Sequence, residues 1–439
     1  MSGATKHGAA EFDAIVVGAG PAGSMAAWRL AGLGRKVALV ERGEYPGAKN
    51  LFGGMVYSLE LNKHFPDFAD QAPIERPVTR HATYLLAGRR SINLDFSSAA
   101  FAEAPYNGFT VYRSRFDRWL AGRAVEAGAL LVPSTVVDDL LLEGERVVGV
   151  RARREQGEMF APVVIAADGI LSLLGEKAGL LRARQPRHYS LGVREVLALP
   201  AATIEERFQI DSGGGCAALF AGCWEGGIQG GGFIYTNRDS LSVGFVAQLP
   251  SLRRGGISIT DALDAFKSHP AVARLTRGGE RLEYGAHLVP EAGHAMRPRL
   301  VRDGLMLAGD AAGLVLSAGV LYEGVHYAMH SGILAAETAH EALGRGDFSV
   351  RVLRAYPRRL AKSYVARNLK IFRHAPPFLA GPRLYGILPE AACRTAEDFF
   401  RADGRGHRKL GAILWGQVGL RRMPGLLRDG WRMLRAFFV

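Results

Sequence analysis

Short apolar runs separated by turn residues dominate the first part of the chain, and the first of them carries the clearest signal. Phe12 to Val17 is a continuous Ile- and Val-rich run, the pattern of a parallel strand buried on both faces. Gly18, Gly20 and Gly23 follow, and then Ser24 to Leu33, where Met25, Trp28 and Leu33 recur among alanines at helical intervals. Lys36 to Val40 repeats the strand pattern and ends at Glu41. The pattern therefore predicts strand, tight turn, helix and second strand, in that order.

Further along, Ser114 to about Ala127 has the pattern of a helix with Arg113 just before it, followed by a strand. "LLLEGERVVGVRAR" reads as a hairpin, and "APVVIAADG" as an apolar strand ending at Asp168 and Gly169. Between 187 and 290 the alternation in "GVREVLAL", "GGGFIYTNRDSLSVGFVAQL" and "RLEYGAHLV" predicts a mainly antiparallel second layer. A buried strand returns at Leu305 to Ala308, runs into Gly309 and Asp310, and precedes an Ala-rich helix reaching Leu343. The expected architecture is α/β: a disordered tail at 1–11, a Rossmann-like domain at 12–186, an inserted antiparallel sheet at 187–290, a return segment at 291–345 and a basic helical region at 346–439.

The glycine spacing gives this frame a chemistry. GxGxxG between a strand and a helix supplies a tight turn, a close backbone approach to a pyrophosphate and close helix–strand packing. Glu41 stands near the distance at which an acid meets the adenosine ribose. One nucleotide-type unit opens the chain and another closes the fold, so the ligand must be long enough to touch both; that favours FAD over NAD. The glycine-rich stretch 213–232 lacks the strand, helix and acid in the right order and is not a second dinucleotide site.

Composition narrows the setting. No run of about 18 apolar residues lacks a charge, which argues against a spanning helix, and the polar first 11 residues lack a signal-peptide core. A cytoplasmic protein is expected. Cys216, Cys223 and Cys393 are too few and too dispersed for a metal or cluster site. His326 and His330 share a helical face without a third ligand, so satisfied helix histidines are the expectation; Glu323 is either a flavin-side acid or a polar helix residue. The net charge of +13 is uneven: 401–439 holds nine Arg or Lys against Asp403 and Asp429. Residues 351–374 contain no acid and place Leu353, Tyr356, Leu360 and Tyr364 on one helical face. Two basic amphipathic stretches point to an acidic partner or an anionic membrane surface, while nucleic acid is disfavoured because no binding motif accompanies the charge. Pro424 and Gly425 are expected to break the C-terminal segment into two short helices forming a shallow interfacial hairpin.

GAGPAG at 18–23, Glu41, Arg113 in RxxFD, Asp168–Gly169 and GDAAG at 309–313 together resemble the FAD-dependent group of aromatic hydroxylases, geranylgeranyl reductases and quinone-reducing flavoproteins. Within that group "ERGEYPGAKN", "GFIYTN", "LDAFKSHP" and "YGAHLVPEAG" are similar to the FixC-type relatives of electron-transfer flavoprotein:quinone oxidoreductase. The resemblance implies that Gly18, Gly20 and Gly23 hold the pyrophosphate, Glu41 the ribose, Arg113 a flavin-side contact and Asp310 the ribityl or pyrophosphate region. Lys49, Asn50, Gly53 and Gly54 match the loop beside the isoalloxazine. Pro21, Ala22, Arg42, Asp168, Gly169, Gly309, Ala311, Glu323 and Gly324 complete the expected cofactor set, and Tyr235 and Asn237 stand on the substrate side.

By the same resemblance the flavin carries the chemistry, with no side-chain acid or base and no metal. Electrons would come from electron-transfer flavoprotein subunits and pass to membrane quinone at the inner face, in a bifurcating complex whose cluster sits in a small ferredoxin-like subunit. The family's long members carry a C-terminal four-iron four-sulfur domain that this chain lacks the cysteines to build. "VLYEGVHYAMHSG" at 320–332 is nearer to reductases. An isoprenoid reductase, an aromatic hydroxylase and an FAD-holding subunit without turnover are the alternatives.

Overall fold

The computed structural model describes residues 10–49, 54–181, 185–291, 293–404, 406–419 and 423–438. Residues 1–9 of the expected tail, and Asn50 and Gly53 of the expected flavin loop, lie outside them.

The first layer is a six-stranded sheet in the order Val301–Arg302, Leu305–Leu307, Val163–Ala166, Ala14–Val17, Val37–Val40, Leu130–Val132. All neighbours are parallel except the outermost pair, Val301–Arg302 with Leu305–Leu307. The central strands are buried along their whole length, as their unbroken Val/Ile/Ala/Leu composition requires. Helix Pro21–Gly32 crosses the long helix Val325–Arg345 at backbone contact: a Cβ on Gly332 would lie 2.0 Å from the Ala22 carbonyl oxygen.

The second layer is a seven-stranded sheet in the order Glu280–Pro290, Tyr189–Ala198, Ser240–Gln248, Gly230–Thr236, Gly215–Gly222, Val78–Ala87, Arg90–Ser97. It is antiparallel except where Val78–Ala87 pairs with Gly215–Gly222. Two of its strands thus come from 78–97, inside the span that the sequence pattern assigned to the first domain; a parallel pairing across more than a hundred residues leaves no local trace. One face packs Val193, Phe220 and Phe245 against Phe266 of helix Ile259–Ser268. By alternation the opposite face carries Ser190, Arg194, Ser242, Phe233 and Tyr235, and there Tyr235 meets Gly54.

The C-terminal third departs from expectation in two respects. Residues 351–374 form the short helices Val350–Leu353, Ala355–Lys362 and Tyr364–Ile371, and Leu353, Tyr356 and Leu360 are buried in the core of the first layer. The apolar stripe of this basic stretch is consumed inside the fold, leaving none of it for a membrane. Beyond it, Ile387–Phe400 lies against the strand Val78–Ala87, where the Cys393 thiol approaches the Leu85 carbonyl, and Leu410–Val418 and Met423–Phe437 follow as two helices. Pro424 and Gly425 do not break the segment as expected: both lie in the first turn of the 15-residue last helix, where the missing proline N–H costs nothing, and the preceding helix has already ended at Val418.

Candidate active site

The glycine turn is set by close approaches. Gly18 has φ +99°, and a Cβ on it would stand 2.4 Å from the Ala167 oxygen. A Cβ on Gly23 would fall 1.8 Å from the Gly18 oxygen, so the helix cannot pack here with any larger residue. Gly20 differs: nothing lies within 4 Å of its Cβ position, which opens a space in front of the helix. The helix begins at Pro21 with neither a side-chain cap nor an acid in its first turn, so the positive end of its dipole is uncompensated at that space. An anionic group fits it.

Glu41 closes the turn from the second strand. Its buried carboxylate accepts the Ala19 N–H at 2.9 Å and the Gly43 N–H at 2.7 Å, tying the glycine turn to loop 41–49. Arg42 and Lys49 stand exposed on that loop. Arg113 is the first residue of helix Arg113–Glu126 and makes a bidentate pair with the buried Asp117 at 2.8 and 2.9 Å. Burial works against the Arg113 charge, but Asp117 and Asp310 outweigh it and raise its pKa; burial raises the Asp117 pKa despite Arg113. Gly47, at φ +90°, lets the loop run against this helix start, since its Cβ would lie 2.7 Å from the Arg113 oxygen.

The strand ends of the first sheet supply two more carboxyls. Asp168 Oδ2 accepts the Leu174 N–H at 3.0 Å and so caps the helix Leu173–Lys177, while its Oδ1 is buried without a partner. Gly169, at φ +77°, makes the turn. Asp310 lies in the turn Gly309–Ala312, and burial raises its pKa against the opposing pull of Arg113. Gly309, at φ +66°, donates its N–H to Ser331 of the long helix, and buried Ala311 fills the turn. Glycine turn, Arg113 and Asp310 therefore converge, with an orphaned carboxyl oxygen and a bare helix start among them.

The second sheet faces this convergence with aromatic side chains. Tyr235 stacks on Phe233 at 5.1 Å between ring centres and touches the Gly54 position at 3.5 Å; burial raises its pKa strongly, and Tyr57 adds to the shift. Asn237, expected on the substrate side, is occupied within the protein: its Nδ2 lies 3.1 and 3.2 Å from the Ser240 and Ser242 hydroxyls, and its carbonyl accepts Arg76 Nε at 2.6 Å. Tyr322 is 43 % exposed, yet its surroundings desolvate the phenol and push its pKa well above the ordinary value. Its hydroxyl donates to the Pro290 oxygen at 3.1 Å, and its phenol stands near Asp310 and Tyr235.

Glu323 and Gly324 precede the long helix. Glu323 pairs with His326 at 3.2 Å; burial alone would raise its pKa, and His326 and Tyr327 reverse that shift. His330 Nδ1 and the Tyr364 hydroxyl both lie 3.1 Å from Glu60 Oε1, with His64 at 3.4 Å from the other oxygen. The two helix histidines thus each meet a carboxylate. Glu60 carries no sequence signal, because its partners are up to 304 residues away. Asp117 could have been found, since it closes the same RxxFD segment as Arg113.

This fold and glycine turn define an FAD-dependent oxidoreductase, and residues 13–180 match the family described as FAD dependent oxidoreductase. The same fold is seen in a geranylgeranyl bacteriochlorophyll reductase-like protein from Thermoplasma acidophilum (TM-score 0.70, 21 % identity, 95 % of this chain and 98 % of that one). The flavin-dependent brominase Bmp2, as a triple mutant, shares it too (TM-score 0.66, 17 % identity, 96 % and 99 %). Within that class the chain belongs to the FixC family. It is 43 % identical to Protein FixC of Salmonella typhi over 393 residues (90 % of this chain, 91 % of the relative). It is 41 % identical to the probable electron transfer flavoprotein-quinone oxidoreductase YdiS of Escherichia coli K12 over 420 residues (96 % and 97 %). Residues 189–289 match the "ETF-QO, ubiquinone-binding" model and 375–438 the "ETF-QO/FixC family C-terminal domain".

Proposed function

We propose that this FixC-family protein takes electrons from an electron-transfer flavoprotein and passes them to a membrane quinone at the cytoplasmic face. FAD, when bound, accepts and releases the electron pair. Gly18, Gly20 and Gly23 with the start of helix Pro21–Gly32 would hold the pyrophosphate, Glu41 the ribose, and Arg113 and Asp310 the middle of the cofactor. Tyr57, Tyr235 and Tyr322 would form the wall on the acceptor side and exclude water from it.

One observation carries the quinone reading: an exposed apolar surface joins the outer edge of the sheet whose other five strands fall in the segment matching the ubiquinone-binding model. Ile92, Leu94 and Phe96 alternate along the edge strand Arg90–Ser97, with Leu94 75 % exposed, on the sheet face that also bears Tyr235. Helix Ile387–Phe400, tied to this edge by the pair Arg90–Glu397, ends in Phe400 at 82 % exposure, and Gln417 of helix Leu410–Val418, which bears exposed Leu414 and Trp415, bonds to its Asp398. On the last helix Leu427, Trp431, Leu434 and Phe438 recur on one exposed face among Arg428, Arg432 and Arg435. Large exposed apolar surface rimmed by cations suits an anionic bilayer. That side gives a lipid-soluble quinone a route along the sheet face to Tyr235.

The kinship with FixC supports two finer elements of the proposal: electron bifurcation within a multi-subunit complex, and an iron–sulfur cluster carried by a small ferredoxin-like partner. The membrane part is tested by vesicle flotation of the full chain with Leu94, Leu427 and Trp431 each changed to Glu. Wild type is expected to float with anionic vesicles, less so at high salt, and the variant to stay behind with its FAD intact. A variant that floats like wild type would remove the surface assignment.

A further inference from the structure

The strand Glu280–Pro290 delivers Glu291 to a position beside Tyr322. Ser317 Oγ, on the facing hairpin Leu316–Ser317/Tyr322–Glu323, donates to Glu291 Oε2 at 2.6 Å, and Ser190 of the neighbouring strand hydrogen-bonds the same carboxyl. The backbone is pinned as well, with the Glu291 N–H on the His188 oxygen at 2.8 Å and the Tyr322 hydroxyl on the Pro290 oxygen at 3.1 Å. Tyr322 senses Glu291, Asp310 and Tyr235 together, which places Glu291 at the junction of the cofactor turn and the acceptor-side sheet. Tyr385 approaches it from the C-terminal region.

Chemically, the surroundings are unusual for a glutamate. Among the described residues the groups acting on its carboxyl are two serine hydroxyls, without a cation, and the groups that feel it are the phenols of Tyr322 and Tyr385. Burial pushes its pKa up, and the hydroxyls only partly offset that. A quinone receiving two electrons gains two negative charges unless protons follow, so its reduction needs an acid within reach.

We propose that Glu291, held by Ser317 and Ser190 beside Tyr322, is the proton donor to the quinone oxygen. This rests on the quinone reading above. The Glu291 O–H bond breaks and a quinone O–H bond forms as the electron pair arrives from reduced FAD. The second oxygen takes its proton from solvent, and the Glu291 carboxylate, stabilised by the two hydroxyls, regains its proton from water. The sum is quinone, two electrons and two protons to quinol. Ser317 is a positioning residue: it favours the carboxylate form.

The test uses holoprotein with its flavin reduced beforehand, mixed anaerobically with short-chain ubiquinone or with ferricenium, which takes an electron without a proton. Glu291→Gln is expected to slow flavin oxidation by ubiquinone about a hundredfold, the range of a lost general acid, and to leave oxidation by ferricenium unchanged. Infrared spectra across a pH titration should show a protonated-carboxyl carbonyl band in wild type that is missing from Glu291→Gln, a readout independent of turnover. Ser317→Ala, which removes a bond to the carboxylate, should move the alkaline limb of the ubiquinone rate upward in pH, and this outcome decides the matter if Glu291→Gln fails to hold FAD. Wild-type ubiquinone rates in Glu291→Gln, or an unmoved alkaline limb in Ser317→Ala, would overturn the proposal. A wild-type flavin that ferricenium oxidises and ubiquinone does not would instead end the quinone reading.

Discussion

Removing the Glu41 carboxylate tests the glycine turn at the point where stability and cofactor binding are coupled. Both oxygens are engaged with buried backbone donors, Ala19 N–H and Gly43 N–H. Glu41→Ala orphans both, and at about 1.5 kcal/mol for each charge-assisted bond the apo fold should lose roughly 3 kcal/mol. Loop 41–49 and the turn it holds would also have to be ordered when FAD binds, and the ribose would lose its acceptor. Affinity should then fall by a further 1.5–3 kcal/mol or so, about ten- to a hundredfold. Glu41→Gln keeps one acceptor and turns an NH2 group toward the other N–H, so it should recover only part of either loss. Urea unfolding of the apoprotein reads the first effect, and fluorescence titration with FAD reads the second. A Glu41→Ala protein with wild-type apo stability and wild-type FAD affinity would refute the reasoning on both counts.

Two glycines of the same turn should part company: Gly23→Ala, with its Cβ 1.8 Å from the Gly18 oxygen, should yield little folded protein. Gly20→Ala, with open space around its Cβ, should fold normally and lose FAD, as absorbance of the purified proteins would show. Acid stability should depend on Glu60, where burial acts to raise the pKa and His330 and His64 more than reverse it, down to about 2 from the ordinary 4.5. A carboxyl depressed on folding contributes stability above its unfolded pKa and loses it as pH falls through the folded one, here on the order of 3 kcal/mol lost between about 4.5 and 2. Glu60→Gln should therefore flatten that part of the stability–pH profile measured by thermal melting.

What could be read from the sequence was local. Strand, glycine turn, helix and terminal acid lie within thirty residues, so residues 12–41 announce their own geometry, and the turn at Gly309 and Asp310 does the same. What could not be read depends on contacts between distant segments. The edge strands 78–97 join the second sheet only through the parallel pairing with Gly215–Gly222. Leu353, Tyr356 and Leu360 show a surface-helix periodicity, and only the long helix Val325–Arg345 beside them makes it an interior face. Asp168 and Asn237 sit where a site residue was expected, but much of their hydrogen bonding serves a helix cap and a sheet turn. Glu291 lies inside the quoted segment "YGAHLVPEAG", and nothing in that string reveals that Ser190 and Ser317, far away in sequence, surround it.

The central claim, electron transfer from an electron-transfer flavoprotein through bound FAD to quinone, is tested most directly by one anaerobic experiment. Holoprotein on anionic vesicles is mixed with reduced electron-transfer flavoprotein and short-chain ubiquinone, and quinol is measured, with NADH alone as the parallel donor. Since the other glycine-rich stretch, 213–232, runs in the strands Gly215–Gly222 and Gly230–Thr236 of the second sheet rather than from a strand into a helix, quinol should form with the flavoprotein donor and not with NADH alone. Reduction of the flavin by NADH at turnover rates, or no quinol with the flavoprotein donor, would contradict the account.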